Sequence, residues 1–410
     1  MTIPDREIPE PVALDRTLRK ITEVLAKELA CPTQVAPNWS ELEWLVARAV
    51  AAMHGVSPLL SRALRWQGPA GWTGFLEEQR AHTAKRHVRI ADLLLRLDQR
   101  AREANVAAVA LKGVALHAFG VYQAGDRPMA DVDLLVRPAD ALRTATMLES
   151  LGYAESFTTW KESVFARVDE QEPALLGEHS NNGVKIELHV RICERLPLRI
   201  TDLSEHIFPP HPQPGLNAYP SKASLMIHLL LHAAGTMTSQ SLRLLHLYDL
   251  ARLSSQMTEV DWKKVLEAGG HGERPWWAFP PLNLMSRYFP SKIPVGVLAA
   301  LADDCPYLLK RTARHRILCD VSYSHLWVDA FPGMEWSRSL REVLGYMASR
   351  VRPNAKHIAF RDHTAKSEAW AKKGQWSRLS QGGRILQWIT SRPTRPVTMH
   401  AVRAALAQSQ

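Results

Sequence analysis

Met129-Ala130-Asp131-Val132-Asp133-Leu134-Leu135-Val136 decides how this chain is read. Residues two apart in a strand point to the same side. Asp131 and Asp133 therefore project together, while Val132, Leu134 and Val136 offer the other face to a core. Two adjacent carboxylates repel and raise each other's pKa, so a fold that keeps them usually supplies a cation. Mg²⁺ suits a pair of hard carboxylates. Taken alone, D-x-D is short and common, and it reads as a strand end whose acids sit in water. The flanking segments shift the reading towards chemistry.

Upstream, Val106 to Leu111 is an apolar run that predicts a short buried strand ending in Lys112-Gly113, and Val114 to Tyr122 is compatible with a helix. A strand, a glycine turn and a helix start together suit an anion such as a nucleotide phosphate. Downstream, Val184 to Val190 alternates strictly, with Val184, Ile186, Leu188 and Val190 on one face and Lys185, Glu187 and His189 on the other. Glu187 is thus a third carboxylate on a second anchored strand. Three carboxylates from two strands beside a glycine turn suit two-metal phosphoryl or nucleotidyl transfer.

These stretches resemble a known family. Leu111-Lys112-Gly113, the block from Arg127 to Val136, Leu151-Gly152-Tyr153 and Ile186-Glu187-Leu188-His189 look like the bacterial uncharacterised nucleotidyltransferase family, within the DNA polymerase β-like superfamily. Trp44 to Val50 with His54 to Leu60 is similar to its helical lead-in. Leu229 to His232, with Leu242 to Leu253 around Asp249, is similar to its helical follow-on, so the resemblance spans about residues 40 to 300. It implies an α+β fold, with a nucleotidyltransferase-type mixed-sheet core flanked by helical regions at both ends. It also implies that Asp131 and Asp133 hold Mg²⁺ or Mn²⁺, that Glu187 completes the metal site or serves as base for the acceptor, and that Gly113 meets the triphosphate of an NTP. Many superfamily members place Ser after that glycine, where this chain has Val114. Backbone N–H groups around Gly113 and Val114 would then serve the phosphates.

Lys112 and Arg127 can neutralise triphosphate charge, a guanidinium binding phosphate in a forked geometry. Otherwise Lys112 is a solvated strand-end lysine and Arg127 pairs with Asp126 or Asp131. His189 shares a face with Glu187 and either orients that carboxylate, contacts the nucleotide base, or is a satisfied structural histidine. His228 and His232 are four apart but lack both the H-E-x-x-H glutamate and a third ligand, which argues against zinc. His232 and Asp249 read as helix-packing or capping groups. The chain has neither a G-x-S-x-G elbow nor a P-loop.

The length of 410 residues allows two or three domains, and 46% hydrophobic with 22% charged residues is an ordinary globular composition. Four widely spaced cysteines read as free thiols in a reducing compartment. The first residues lack a signal-peptide pattern and no apolar run is long enough to span a bilayer, so a cytoplasmic protein is expected.

The reading along the chain is a helical lead-in (1–104), an α/β core (105–205), a Pro-rich linker (206–220), a helical domain (221–350) and a basic tail (351–410). Within it, helices are predicted over 12–30, over 41–53 after the capping box Ser40-Glu41-Leu42-Glu43, and over 81–103. The linker has four prolines between His206 and Gly215. Residues 351–410 hold eleven Lys/Arg and two Asp/Glu, which is +9 of the net +10. Trp370, Trp376 and Trp388 alternate there with Lys372, Lys373, Arg378 and Arg384, a pattern for an acidic or nucleic-acid partner or for a packed amphipathic element. Truncation before Pro353 spares nucleotide binding on the first reading and exposes apolar surface on the second.

The expected activity is Mg²⁺-dependent transfer of a nucleoside monophosphate from an NTP to an acceptor hydroxyl. The family's genes often neighbour peptide or polysaccharide biosynthesis genes, which implies a peptide or small-molecule acceptor. An RNA end, or a non-catalytic scaffold that binds a precursor peptide or protein, are the alternatives. Removing one crowded carboxylate, as in Asp133→Asn, is expected to leave metal-free stability unchanged or higher.

Overall fold

A computed structural model describes residues 8–167, 176–269, 273–354, 358 and 379–407. The strands are β1 (Ala107–Ala110), β2 (Asp131–Val136), β3 (Tyr153–Thr158), β4 (Glu162–Arg167), β5 (Lys185–His189), β6 (Cys193–Leu196), β7 (Arg199–Asp202) and β8 (Gly215–Asn217). Six of them form one mixed sheet in the order β3-β4-β5-β2-β1-β8, and β6 and β7 form a separate hairpin. β2 runs antiparallel to β1 and parallel to β5.

Four helices precede the sheet: α1 (Pro11–Ala30), α2 (Glu41–Met53), α3 (Ser57–Ala63) and α4 (Ala70–Glu103). Both halves of the Ser40–Glu43 capping box are present at α2. α4 starts at Ala70 instead of Ala81, because Trp72, Phe75, Leu76 and Gln79 continue its buried stripe towards the N-terminus. Gly71 and Gly74 hide that stripe from a sequence reading. α5 (Lys112–Ala118) and α6 (Ala141–Ser150) lie within the core. Ile90, Leu93 and Leu97 of α4, with Met147 and Leu148 of α6, cover one sheet face and bury Val132, Leu134, Ile186 and Leu188.

The expected linker is partly built into the sheet. After the short α7 (Ser204–Ile207), Gly215–Asn217 pairs in parallel with β1 as an edge strand. Gly215 has φ +111, and a Cβ there would meet Asp98 Oδ1 at 2.6 Å. The same carboxylate accepts the Leu216 N–H at 2.7 Å.

The remaining helices are α8 (Lys222–Thr238), α9 (Leu244–Ser254), α10 (Glu259–Glu267), α11 (Phe279–Tyr288), α12 (Val295–Asp304), α13 (Tyr307–His315), α14 (Leu340–Val351), α15 (Gln381–Thr390) and α16 (Pro396–Ala407). A second, larger cluster joins them to the lead-in and runs from Leu14 to Leu406. The helical lead-in and the helical follow-on therefore share one core. A buried polar chain ties it together. His54 Nδ1, after α2, accepts the Leu244 N–H at 2.8 Å, and His54 Nε2 meets Ser324 Oγ at 2.9 Å. Thr22 of α1 donates to the same Ser324 Oγ at 2.9 Å.

The segment read as a basic tail departs from that expectation. α16 buries Ala401, Val402, Ala404 and Ala405 and packs on α2. Ahead of it, the Arg395 guanidinium donates to the carbonyls of Gln240 and Ser322, each at 2.9 Å. In α15, Trp388 is partly exposed and its indole donates to the Val328 carbonyl at 3.2 Å. Trp370, Trp376, Lys372, Lys373 and Arg378 lie outside the described residues. All four cysteines are unpaired, and no described helix is long and apolar enough to cross a membrane.

Candidate active site

Burial of Val132, Leu134, Ile186 and Leu188 turns the alternate residues of β2 and β5 to the opposite sheet face. The register sets Asp133 opposite Glu187 and Asp131 opposite Lys185. β4 adds Glu162 opposite His189. This charged face forms one wall of a cleft of about 300 Å³, and residues of α8 and α9 with Tyr323 form the other.

Asp133 is the hub. Lys112 Nζ lies 2.6 Å from its Oδ1, and His189 Nε2 approaches the same oxygen at 3.1 Å. His189 is also 3.7 Å from Glu187 and 3.7 Å from Glu162. Burial opposes the Asp133 charge, but Lys112 and His189 outweigh it and hold the carboxyl well below the usual range. Glu187 goes the other way. Burial, then Asp133 and Asp131, push it up to about 9. Burial and Asp133 also raise Asp131, against Lys112, Arg243 and Arg127.

One ligand atom each from Asp133, Glu187 and His189 lies within 4.8 Å of the others. Hard carboxylate oxygens with one imidazole, and a surplus negative charge that keeps Glu187 protonated, fit a divalent cation. Asp131 was expected in the metal pair and His189 at the nucleotide. The structure brings His189 into the tight group and leaves Asp131 at its edge, lining the same cleft.

The other expected residues are placed as follows. Lys112 is not a solvated strand-end lysine: it is part-buried with its ammonium against Asp133, and it lines the cleft. Its backbone sits at φ +44, a left-handed conformation costing about 1–2 kcal/mol for a side-chain-bearing residue. Gly113 lines the cleft, and a Cβ there would collide with Arg127 and Met129. Val114 packs against the sheet cluster and is not among the residues lining the cleft.

Arg127 pairs with neither Asp126 nor Asp131. Its Nε and Nη2 grip both oxygens of Asp249 at 2.9 and 2.8 Å, and Tyr122 OH donates to Asp249 at 2.8 Å. Asp249, read as a packing or capping group, thus anchors α9 to the entry of β2. His228 Nδ1 pairs with Tyr219 OH at 2.7 Å, and among the described residues it is not part of the group that could hold a metal ion. His232 lines the cleft and stands edge-on to His246, with centroids 4.9 Å apart.

Four contributors escaped the sequence reading: Glu162, Lys161, Arg243 and the buried Arg86. Arg86 donates to the carbonyls of Met129 at 3.0 Å and Ala130 at 3.2 Å, fixing the approach to β2. The short apolar run Val164 to Ala166 is the local signal for β4, and nothing local marks Arg243.

No curated protein and no solved structure matches this chain. A family model described as Uncharacterised nucleotidyltransferase matches residues 40–269, more than half of the chain, and covers β2, β5 and the cleft walls from α8 and α9. With its mixed sheet, its buried Asp-Glu-His cluster and this match, the chain belongs to the uncharacterised nucleotidyltransferase family.

Proposed function

We propose that the protein is a Mg²⁺-dependent nucleotidyltransferase that moves a nucleoside monophosphate from an NTP to an acceptor hydroxyl on a peptide or small molecule. The acceptor oxygen bonds to the α-phosphorus, the P–O bond towards the β-phosphate breaks, and diphosphate leaves. Asp131, Asp133 and Glu187 would hold the metal, with His189 beside them. When bound, the metal neutralises charge on the phosphates and lowers the pKa of the attacking hydroxyl. With a cation bound, Glu187 would be ionised and would then take up the acceptor proton. Lys112 holds Asp133 ionised, and Arg127, through Asp249, keeps the helical wall in register with β2. Most of the rate enhancement in such transfers comes from positioning and electrostatics.

The observation that carries this reading is the register of β2 and β5, which sets acids from two strands of a nucleotidyltransferase-family chain against one cleft. The test is thermal stabilisation by each NTP with and without Mg²⁺, followed by a search for diphosphate release. Mg²⁺-dependent stabilisation by at least one NTP is expected. Equal stabilisation with and without metal, or none with any NTP, would remove the reading.

A further inference from the structure

Four cations line the cleft: Lys112, Arg127, Lys161 and Arg243. Three are taken. Lys112 pairs with Asp133 at 2.6 Å, Arg127 with Asp249 at 2.8 Å and Lys161 with Glu194 at 3.0 Å. Among the described residues, Arg243 alone of the four has no carboxylate at ion-pair distance. Its guanidinium lies over the Tyr323 ring, 5.5 Å from the centroid. The carboxylates show the same asymmetry. Asp133, Glu162, Glu187 and Asp249 each stand within 4 Å of a cationic or imidazole nitrogen, whereas Asp131 has no such partner among the described residues.

Arg243 and Asp131 thus face one cleft without pairing with each other. A charge left without a counterion in a partly desolvated cleft is costly. A ligand carrying both a cation and an anion would satisfy the two together. A metal–polyphosphate is such a ligand, and a guanidinium matches phosphate in a forked geometry. His232 and His246 line the same cleft, and burial, helped by Lys112 at His232 and by Arg243 at His246, holds both imidazoles well below their ordinary pKa. The two imidazoles therefore offer phosphate no positive charge, and among the described residues Arg243 is the lining cation without a carboxylate partner.

We propose that Arg243 is a polyphosphate-binding residue, gripping from the helical wall the phosphate chain whose metal sits on the strand carboxylates. Naming that chain as an NTP's triphosphate rests on the nucleotidyl-transfer reading. The anion site itself does not.

The experiment is calorimetric titration of the full chain with ATP, AMP and inorganic tripolyphosphate, each with Mg²⁺. It is run on wild type, on Arg243→Met, which keeps the stem over Tyr323 and removes the charge, and on Arg243→Lys. Arg243→Met should weaken ATP and tripolyphosphate about tenfold or more while changing AMP far less, and Arg243→Lys should recover part of the loss. A purely structural role would not discriminate between ATP and AMP. Should Arg243→Met fail to fold, Arg243→Lys still decides, because a point charge without the fork should bind tripolyphosphate less tightly than wild type. Wild-type affinity for tripolyphosphate in every folded variant would overturn the inference. Arg243-dependent binding of tripolyphosphate with no binding of any NTP would uphold the site and defeat the nucleotidyl-transfer reading. No binding of either would defeat both.

Discussion

Asp133 and Glu187 face each other across two strands, yet one is held ionised and the other protonated. Their substitutions should therefore diverge. Asp133→Asn leaves the part-buried Lys112 ammonium without its contact partner, and breaking such a pair costs up to about 3–5 kcal/mol. The expectation that relieving carboxylate repulsion would preserve metal-free stability reverses at this position. Glu187→Gln removes a group that is already neutral near pH 7, so its melting temperature in chelator should match or exceed wild type. Its turnover should fall by at least about 100-fold, because the metal-loaded site would lose the carboxylate that ionises there to accept the proton. Melting curves in chelator beside single-turnover assays give both readouts. Equal destabilisation by the two substitutions would mean that Lys112 is not what holds Asp133.

At the scale of elements, the junction of α1, α2 and α9 depends on one neutral imidazole. His54 accepts at Nδ1 from Leu244 and offers Nε2 to Ser324, so protonating Nδ1 would break the first bond. Burial and Arg243 lower its pKa from 6.5 to about 3. The unfolded chain takes up a proton near pH 6.5 while the folded chain refuses it, so stability falls as pH drops from about 6.5 towards 3. Each such histidine adds a slope of at most about 1.4 kcal/mol per pH unit. Urea unfolding at neutral and mildly acidic pH should show this loss. His54→Asn should be less stable at neutral pH and show a shallower decline, and an unchanged slope would clear His54 of the effect.

What sequence could disclose follows from the range of each signal. Asp131, Asp133, Glu187 and His189 were legible because strand alternation is local and their apolar neighbours declare the face. The Ser40 cap was legible for the same reason. Arg127 and Asp249 are 122 positions apart, and no spacing rule links them. β8 has three residues at the end of a proline-rich stretch, and it is a strand only because β1 offers an edge. Arg243 becomes notable only after every other cation in the cleft has been assigned a partner.

At the scale of the molecule, the charge-rich C-terminal segment ends in a core helix. A 1–350 fragment would lose α16 and Arg395, exposing the α2 face that Ala401, Val402 and Ala405 cover. That fragment should aggregate or melt well below the full chain, by several kcal/mol given the buried side chains lost. A soluble fragment with the wild-type melting temperature would show that α16 is dispensable. The acidic-partner hypothesis is better tested by replacing Lys372, Lys373 and Arg378 with Gln in the full chain, since charge is then removed without the helix. Any such affinity should also fall steeply with added salt.

The docking of α16 on α2 also sets an order of events during synthesis. The sheet cluster draws on residues from Ile90 to Leu188, with Leu216 at its edge, so it can close while the ribosome is still making the second half. The helical cluster cannot. Its first members, from Leu14 onward, wait for Val402 to Leu406, which emerge long after the sheet residues. Early helices with an unfilled apolar face are the kind of nascent species that chaperones hold. A chain stopped before Val402 would thus have a formed carboxylate face and an unfinished scaffold.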